Sequence, residues 1–113
     1  MAYDTMLTAL ADPTRRRIFE TLVDRPRNVR ELADELPVSR PAVSQHLRVL
    51  RDAGLVTDRR DGARRIHSAN PAALAELRAY VERMWAGALD DFAAAAAPPP
   101  TQEDEGHADR AWS

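Results

Sequence analysis

Residues 40–53 combine arginine, glutamine and serine side chains on one side of a helical pattern. The apolar residues Val43, Leu47 and Leu50 share a face of the helical wheel. The opposite face and its flanks hold Arg40, Pro41, Ser44, Gln45, Arg48, Arg51 and Asp52. Arginine can donate two hydrogen bonds to guanine, glutamine can pair with adenine, and serine can pair with either base. A polar helix face is also typical of contact with water, so these residues alone leave both interpretations open.

A second group of polar side chains surrounds the pair Asp61-Gly62. Asp-Gly between two strand-like runs is a strong signal for a β-hairpin. The turn is flanked by four arginines: Arg59, Arg60, Arg64 and Arg65. Arginine suits phosphate, and phosphate contacts position a protein on nucleic acid without reading sequence. Because side chains alternate along a strand, we expect some of these arginines to reach phosphate and others to pair with acids such as Asp58. A solvated hairpin is the alternative interpretation.

Composition excludes several other kinds of chemistry. The 113 residues include no cysteine and three histidines, none of which pairs with another at ligand spacing, so we expect no metal site. Four glycines are too few for a phosphate-binding loop. The neighbours Asp90 and Asp91 would not face one site on a helix. We therefore expect no cofactor and no enzymatic activity.

The sequence shows neither a membrane-spanning run nor the pattern of a signal peptide. No apolar run approaches the roughly 18 residues of a membrane span. The first residues lack the basic start and apolar core of a signal peptide. We therefore expect a cytoplasmic protein that does not bind a membrane.

Positive charge is concentrated in the middle of a chain whose net charge is −2. Residues 12–67 contain 13 arginines against nine acidic residues, whereas residues 98–113 contain one arginine against four. All 16 basic residues of the chain are arginine. A local basic region of this kind is typical of nucleic-acid binding.

Start and stop signals predict four helices in the first half of the chain. The first is a short helix with apolar residues at positions 3, 6, 7 and 10. The N-cap candidates for the next three are Asp12, Asn28 (with Glu31 in a capping box) and Ser39. Gly54 is suited to end the fourth helix. The third and fourth helices, joined by a tight turn, form a helix-turn-helix candidate.

A long fifth helix follows the hairpin. Asn70-Pro71 predicts its start, and three prolines at 98–100 end it, so we expect it to run to about Ala97. Its apolar stripe is longer than a small domain needs for its own core and predicts a partner surface, with a small hydrophobic effector as the alternative. Residues 1–97 are predicted to form the folded domain, and residues 98–113 a disordered, acidic, proline-rich tail.

Four local motifs, in order, resemble the ArsR-type (ArsR/SmtB) bacterial transcriptional repressors. They are residues 11–15 (ADPTR), 29–33 (VRELA), 38–47 (VSRPAVSQHL) and 50–56 (LRDAGLV). The resemblance covers about residues 3 to 95. It implies a mainly α-helical α+β fold, the winged helix-turn-helix, with five helices and a two-stranded wing.

The resemblance also implies a function. Members of the family are homodimers joined through their first and last helices. Their fourth helix enters the major groove of double-stranded DNA, and the wing follows the backbone. They repress a nearby promoter, often their own, so we expect an inverted-repeat operator and a repressor that can regulate its own gene.

Two sets of site residues follow from these observations. The predicted DNA-binding residues are Ser39, Arg40, Pro41, Ser44, Gln45, Arg48, Arg51, Arg60, Arg64 and Arg65. The predicted dimer-interface residues are Leu7, Leu10, Leu77, Val81, Met84, Trp85, Leu89 and Phe92. Positions matching Arg40, Ser44 and Gln45 commonly contact DNA in the family.

The sensing residues of the family are not matched. The third helix lacks the cysteine pair of metal-sensing members, and residues 76–85 of the last helix lack histidine. The resemblance therefore indicates a member that does not sense metals, and any inducer is left open. A winged helix used only for protein contact is the competing interpretation.

Overall fold

The computed structural model describes residues 2–96, in which five helices and two strands form. The elements are α1 (Ala2–Ala11), α2 (Pro13–Asp24), α3 (Val29–Glu35), α4 (Arg40–Asp52), β1 (Val56–Asp61), β2 (Arg64–Ala69) and α5 (Pro71–Ala96). Five helices with one antiparallel hairpin confirm the predicted fold class. The predicted tail, residues 98–113, lies outside the described residues.

The chain divides into two compact units, and α5 contributes to both. The first unit ends at Ala79, and the second begins at Tyr80. Within the described residues the second unit is the C-terminal part of α5, residues 80–96. The single domain over residues 1–97 stays a prediction.

Side-chain caps begin α3 and α4 where the sequence signals predict them. The Asn28 carboxamide accepts a hydrogen bond from the Glu31 backbone at 2.8 Å, and the Glu31 carboxylate accepts one from the Asn28 backbone at 2.9 Å. The Ser39 hydroxyl accepts from the Ala42 backbone at 3.3 Å. Each cap satisfies an N–H group that has no partner inside the helix, so both helix starts are set locally.

The start of α2 is joined to the end of α1. The Asp12 carboxylate accepts a hydrogen bond from the Arg15 backbone at 2.9 Å, which lowers the pKa of that carboxyl below its usual value. The Arg15 and Arg16 side chains donate to the carbonyl oxygens of Ala9 and Leu10, at 2.7 and 3.1 Å. Cationic donors at the last carbonyls of a helix complete its end, so these arginines fix the angle between α1 and α2.

The core of the first unit lies between the four helices α1, α2, α3 and α4, the start of the hairpin and the first turn of α5. Its largest fully buried side chains are Ile18, Leu32, Val43, Leu47, Leu50 and Leu55. Val23, which helical spacing places beside Phe19, is 48% exposed, although Ile18, Phe19 and Leu22 of the same helix are buried. At about 100° per residue, Ile18 and Val23 lie at opposite edges of this group, and the neighbouring elements cover the Ile18 edge but not the Val23 edge.

The hairpin turn lies one residue later than the sequence signal indicates. Asp61 pairs with Arg64 in the antiparallel register, so the two loop residues are Gly62 and Ala63 rather than Asp61 and Gly62. Gly62 has φ of 66°, a left-handed conformation that suits glycine. The Asp-Gly pair therefore identified the hairpin correctly but placed its centre too early.

Candidate nucleic-acid interface

The orientation of α4 is set by its apolar face. Val43, Leu47 and Leu50 are all fully buried, so α4 cannot rotate without exposing them. Gly54, with φ of 81°, ends the helix, and its backbone N–H donates to the carbonyl of Arg51 at 2.9 Å. The face opposite the core is therefore held toward solvent.

That solvent side carries most of the predicted base-reading residues. We call it the outer face of α4; its members are Arg40, Pro41, Ser44, Gln45 and Arg48, and all five are exposed. Within the described residues, the side chains of Arg40 and Arg48 make no hydrogen bond or ion pair. Their guanidinium donors are consequently available to a ligand.

Two further predicted residues border the outer face. Ser39, also exposed, is the N-cap of α4, which confirms the capping role expected of it. Arg51 is only partly exposed, and its positive charge is one of the influences that lower the pKa of His67. Neither Asp52 nor Asp58 pairs with Arg51 in the described part of the chain. Arg51 is therefore less accessible than the residues of the outer face, and its charge acts on the buried His67 of β2.

The register of the hairpin separates its arginines into two sets. Arg60 lies opposite Arg65, whereas Arg59 and Arg64 belong to the other face because side chains alternate. All four are exposed. Arg65 pairs with Asp58, at 3.1 Å between Nη1 and Oδ2. Arg60 and Arg64 make no such pair within the described residues, so they are the predicted wing contacts whose donors remain available.

Sequence reasoning assigned no role to Arg27, which joins α2 and α3, the two helices that pack against α4. Arg27 is 6% exposed, and its Nε donates to both carboxylate oxygens of Glu35, at 2.9 and 2.8 Å. Its Nη1 donates to the carbonyl oxygens of Thr21 and Arg25. These bonds join the end of α2 to the end of α3. The hydrogen bond from Arg27 holds the pKa of the Glu35 carboxyl below its usual value.

Arg27 also connects these two helices to the hairpin. Its backbone exchanges two hydrogen bonds with His67 on β2, at 3.0 and 2.9 Å. We call Arg27, Glu35 and His67 the interior junction. No local signal marks Arg27, because its partners belong to α2, α3 and β2, which meet only in the folded chain.

His67 is a buried, uncharged member of that junction. Its side chain is among the most enclosed polar groups, at 3% exposure, and Nδ1 has no hydrogen-bond partner among the described residues. Burial lowers the pKa of His67 below its usual value. Asp58 opposes this effect, whereas the charges of Arg51 and Arg65 reinforce it. The neutral imidazole is therefore the form that the fold favours.

The predicted interface residues differ in exposure. Leu10 and Leu77 are partly buried against the core of the first unit, whereas Leu7 is 41% exposed. In the second unit the exposed residues, at 49–64%, form what we call the α5 stripe: Val81, Met84, Trp85, Leu89 and Phe92. A continuous set of large apolar side chains in water indicates a surface that another molecule covers.

Two further observations on the described residues concern metal ions and membranes. Residues 2–96 contain no group of three or more histidine, cysteine, aspartate or glutamate side chains that could hold a metal ion. Over the same residues, no helix is both long and apolar enough to cross a membrane.

Comparison with known families agrees with this geometry. Residues 12–58 match the family described as bacterial regulatory protein, arsR family. The chain is 53% identical over 90 residues to the HTH-type transcriptional regulator Rv2034 of Mycobacterium tuberculosis, which covers 80% of this chain and 84% of the relative. It is also 31% identical over 71 residues to the transcriptional repressor SdpR of Bacillus subtilis, covering 63% and 79%.

A solved structure extends the similarity to the fold. The ArsR-like transcriptional regulator from Rhodococcus sp. RHA1 has a TM-score of 0.72 to this chain at 30% identity. The match covers 87% of this chain and 95% of that one. Both relatives and the solved structure are named as regulators of transcription, in agreement with the prediction that the chain is not an enzyme.

Proposed function

Because this chain belongs to the arsR family of bacterial regulatory proteins and is a transcriptional regulator, we propose that it is a homodimeric, DNA-binding repressor. Its operator would be an inverted repeat of double-stranded DNA in the bacterial cytoplasm. The observation that carries the proposal is the outer face of α4. Arginine, serine and glutamine donors lie exposed there, while the opposite side of the helix is fully buried.

Base recognition would depend on side chains of the outer face. A helix in the major groove can bring side chains within hydrogen-bond distance of base edges. Arg40 and Arg48 would pair with guanine and Gln45 with adenine, while Ser44 can pair with either base. Pro41 has no donor, and its ring would contact a thymine methyl group.

Phosphate contacts would come from the hairpin and from the ends of α4. Among the described residues Arg60 and Arg64 have no partner, whereas the donors of Arg65 would be shared between Asp58 and DNA phosphate. Ser39 lies at the start of α4, where backbone N–H groups attract an anion. Arg51 is the weakest member of the set, since it is only partly exposed.

Dimerisation is supported by the α5 stripe. A second copy of the same chain would cover these apolar residues. If the dimer binds DNA in adjacent major grooves, its two copies of α4 should lie about 34 Å apart, one turn of duplex DNA. Two-fold symmetry then requires an inverted repeat. Repression is supported by the relative that is named a repressor. Participation of Leu7, Leu10 and Leu77 in the interface stays a prediction.

Fluorescence anisotropy tests the proposal directly. The purified protein is titrated into labelled DNA taken from directly upstream of its own gene, beside a scrambled duplex, at about 50 and 200 mM salt. We expect tight binding to the upstream DNA alone, weakening steeply as salt rises. Equal weak binding to both duplexes would contradict autoregulation. Binding to neither duplex would overturn the DNA-binding proposal in favour of a winged helix that contacts proteins.

A further inference from the structure

An open groove of about 570 Å³ lies where α3, the start of α4 and β2 approach one another. All of it belongs to the first unit. The charged side chains along it are Arg30, Glu31, Asp34, Arg40, Arg64 and Arg65. We call this the Arg30 groove. Sequence reasoning assigned no role to Arg30, which stands in the first turn of α3.

Two of the six charges are already engaged within the protein. The Glu31 carboxylate accepts a hydrogen bond in the capping box of α3, and Arg65 pairs with Asp58. The side chains of Arg30, Arg40 and Arg64 are exposed and make no hydrogen bond or ion pair among the described residues. Three available guanidinium groups therefore face the groove against one available carboxylate, that of Asp34.

Arg40 belongs both to this groove and to the outer face of α4. A ligand held in the groove would consequently lie beside whatever the outer face contacts. Guanidinium groups bind phosphate through two parallel hydrogen bonds, and an open groove admits a continuous strand. The chemistry that fits is a phosphodiester of a DNA backbone.

We propose that the Arg30 groove receives a backbone phosphate flanking the bases that α4 reads, with Arg30 as a positioning contact and Asp34 limiting the affinity. This inference rests on the proposed function. Phosphate contacts contribute equally on every sequence, so Arg30 and Asp34 would set the strength of binding without changing its specificity.

The test compares three charge-changing variants on the upstream and scrambled duplexes across a salt series. Each neutralised phosphate contributes about −0.9 to the slope of log affinity against log salt, which corresponds to about eightfold in affinity at 0.1 M salt. Arg30→Gln should therefore weaken binding to both duplexes by about eightfold and reduce the slope by about 1. Asp34→Asn should strengthen binding to both by about two- to threefold.

Arg17→Gln is the matched control, because Arg17 is equally exposed but lies on α2, away from the groove. It should leave affinity within about twofold of the wild type, since a distant exposed charge is screened by salt. Circular dichroism checks that all variants fold. An unchanged slope in Arg30→Gln, or an equal loss in Arg17→Gln, would overturn the groove assignment while leaving DNA binding intact.

Two further outcomes separate this proposal from its alternatives. A wild-type protein that binds neither duplex would overturn the groove together with the proposed function. The second control replaces chloride by inorganic phosphate at constant ionic strength. If phosphate displaced DNA from the wild type but not from Arg30→Gln, while Arg30→Gln kept the wild-type affinity and salt slope for DNA, the groove would be a small-anion site that DNA does not contact.

Discussion

Arginine has opposite roles in two regions of the first unit. At the interior junction, Arg27 is buried and directs its donors to Glu35 and to backbone carbonyls. On the outer face of α4, Arg40 and Arg48 are exposed and have no partner among the described residues. The same side chain is structural where its donors are satisfied and free to bind where they are not. Burial and partners, rather than residue type, separate support from recognition.

The largest expected effect comes from removing the interior junction. Arg27→Ala should lower the free energy of unfolding by about 2–4 kcal/mol, because it removes several hydrogen bonds at once and leaves carbonyl oxygens unsatisfied. Urea denaturation measures the change. Arg27→Lys is the matched variant. It keeps the charge but cannot donate from separate Nε and Nη1 groups to Glu35 and to the carbonyls, so it should recover only part of the stability. Stability within about 0.5 kcal/mol of the wild type in Arg27→Ala would remove the distinction between the two regions.

A smaller effect, on binding rather than folding, is expected at the outer face. Gln45→Ala should cost about 1–3 kcal/mol in affinity for the operator and relax its sequence preference, with unfolding unchanged. Anisotropy on a panel of single-base variants of the operator measures this. Arg64→Ala is the comparison, since a phosphate contact should weaken all sequences alike. Identical behaviour of the two variants across the panel would contradict the assignment of bases to α4 and phosphates to the hairpin.

The smallest effect is a pH dependence of stability from His67. Its pKa is lowered in the folded chain, chiefly by burial, so the unfolded chain binds this proton more readily. The stabilising contribution is present above the unfolded value, near 6.5, and is lost as the pH falls below it. Urea unfolding between pH 8 and pH 5 should show this loss, and His67→Gln should show less of it. A slope that His67→Gln leaves intact would assign the effect to other groups.

The sequence predicted well wherever structure depends on near neighbours. Caps at Asn28 and Ser39, the end of α4 at Gly54 and the buried face of α4 all involve residues within about two helical turns. The hairpin was recognised but centred one residue early, because the register is set by pairing along both strands rather than by the turn alone. Val23 shows a similar limit. The spacing along α2 places it beside Phe19 but does not show how far the neighbouring elements extend over that side of the helix.

The candidate site likewise has parts that local sequence predicts and parts that depend on tertiary packing. Periodicity alone identified the outer face of α4, since one buried face determines which residues lie opposite. The interior junction and the Arg30 groove depend on α2, α3 and β2 coming together. Local sequence carries the information for caps and helix faces because those interactions span a few residues. Which arginines become buried and paired, and which stay open to a ligand, is set by packing between distant segments, and packing exists only in the folded chain.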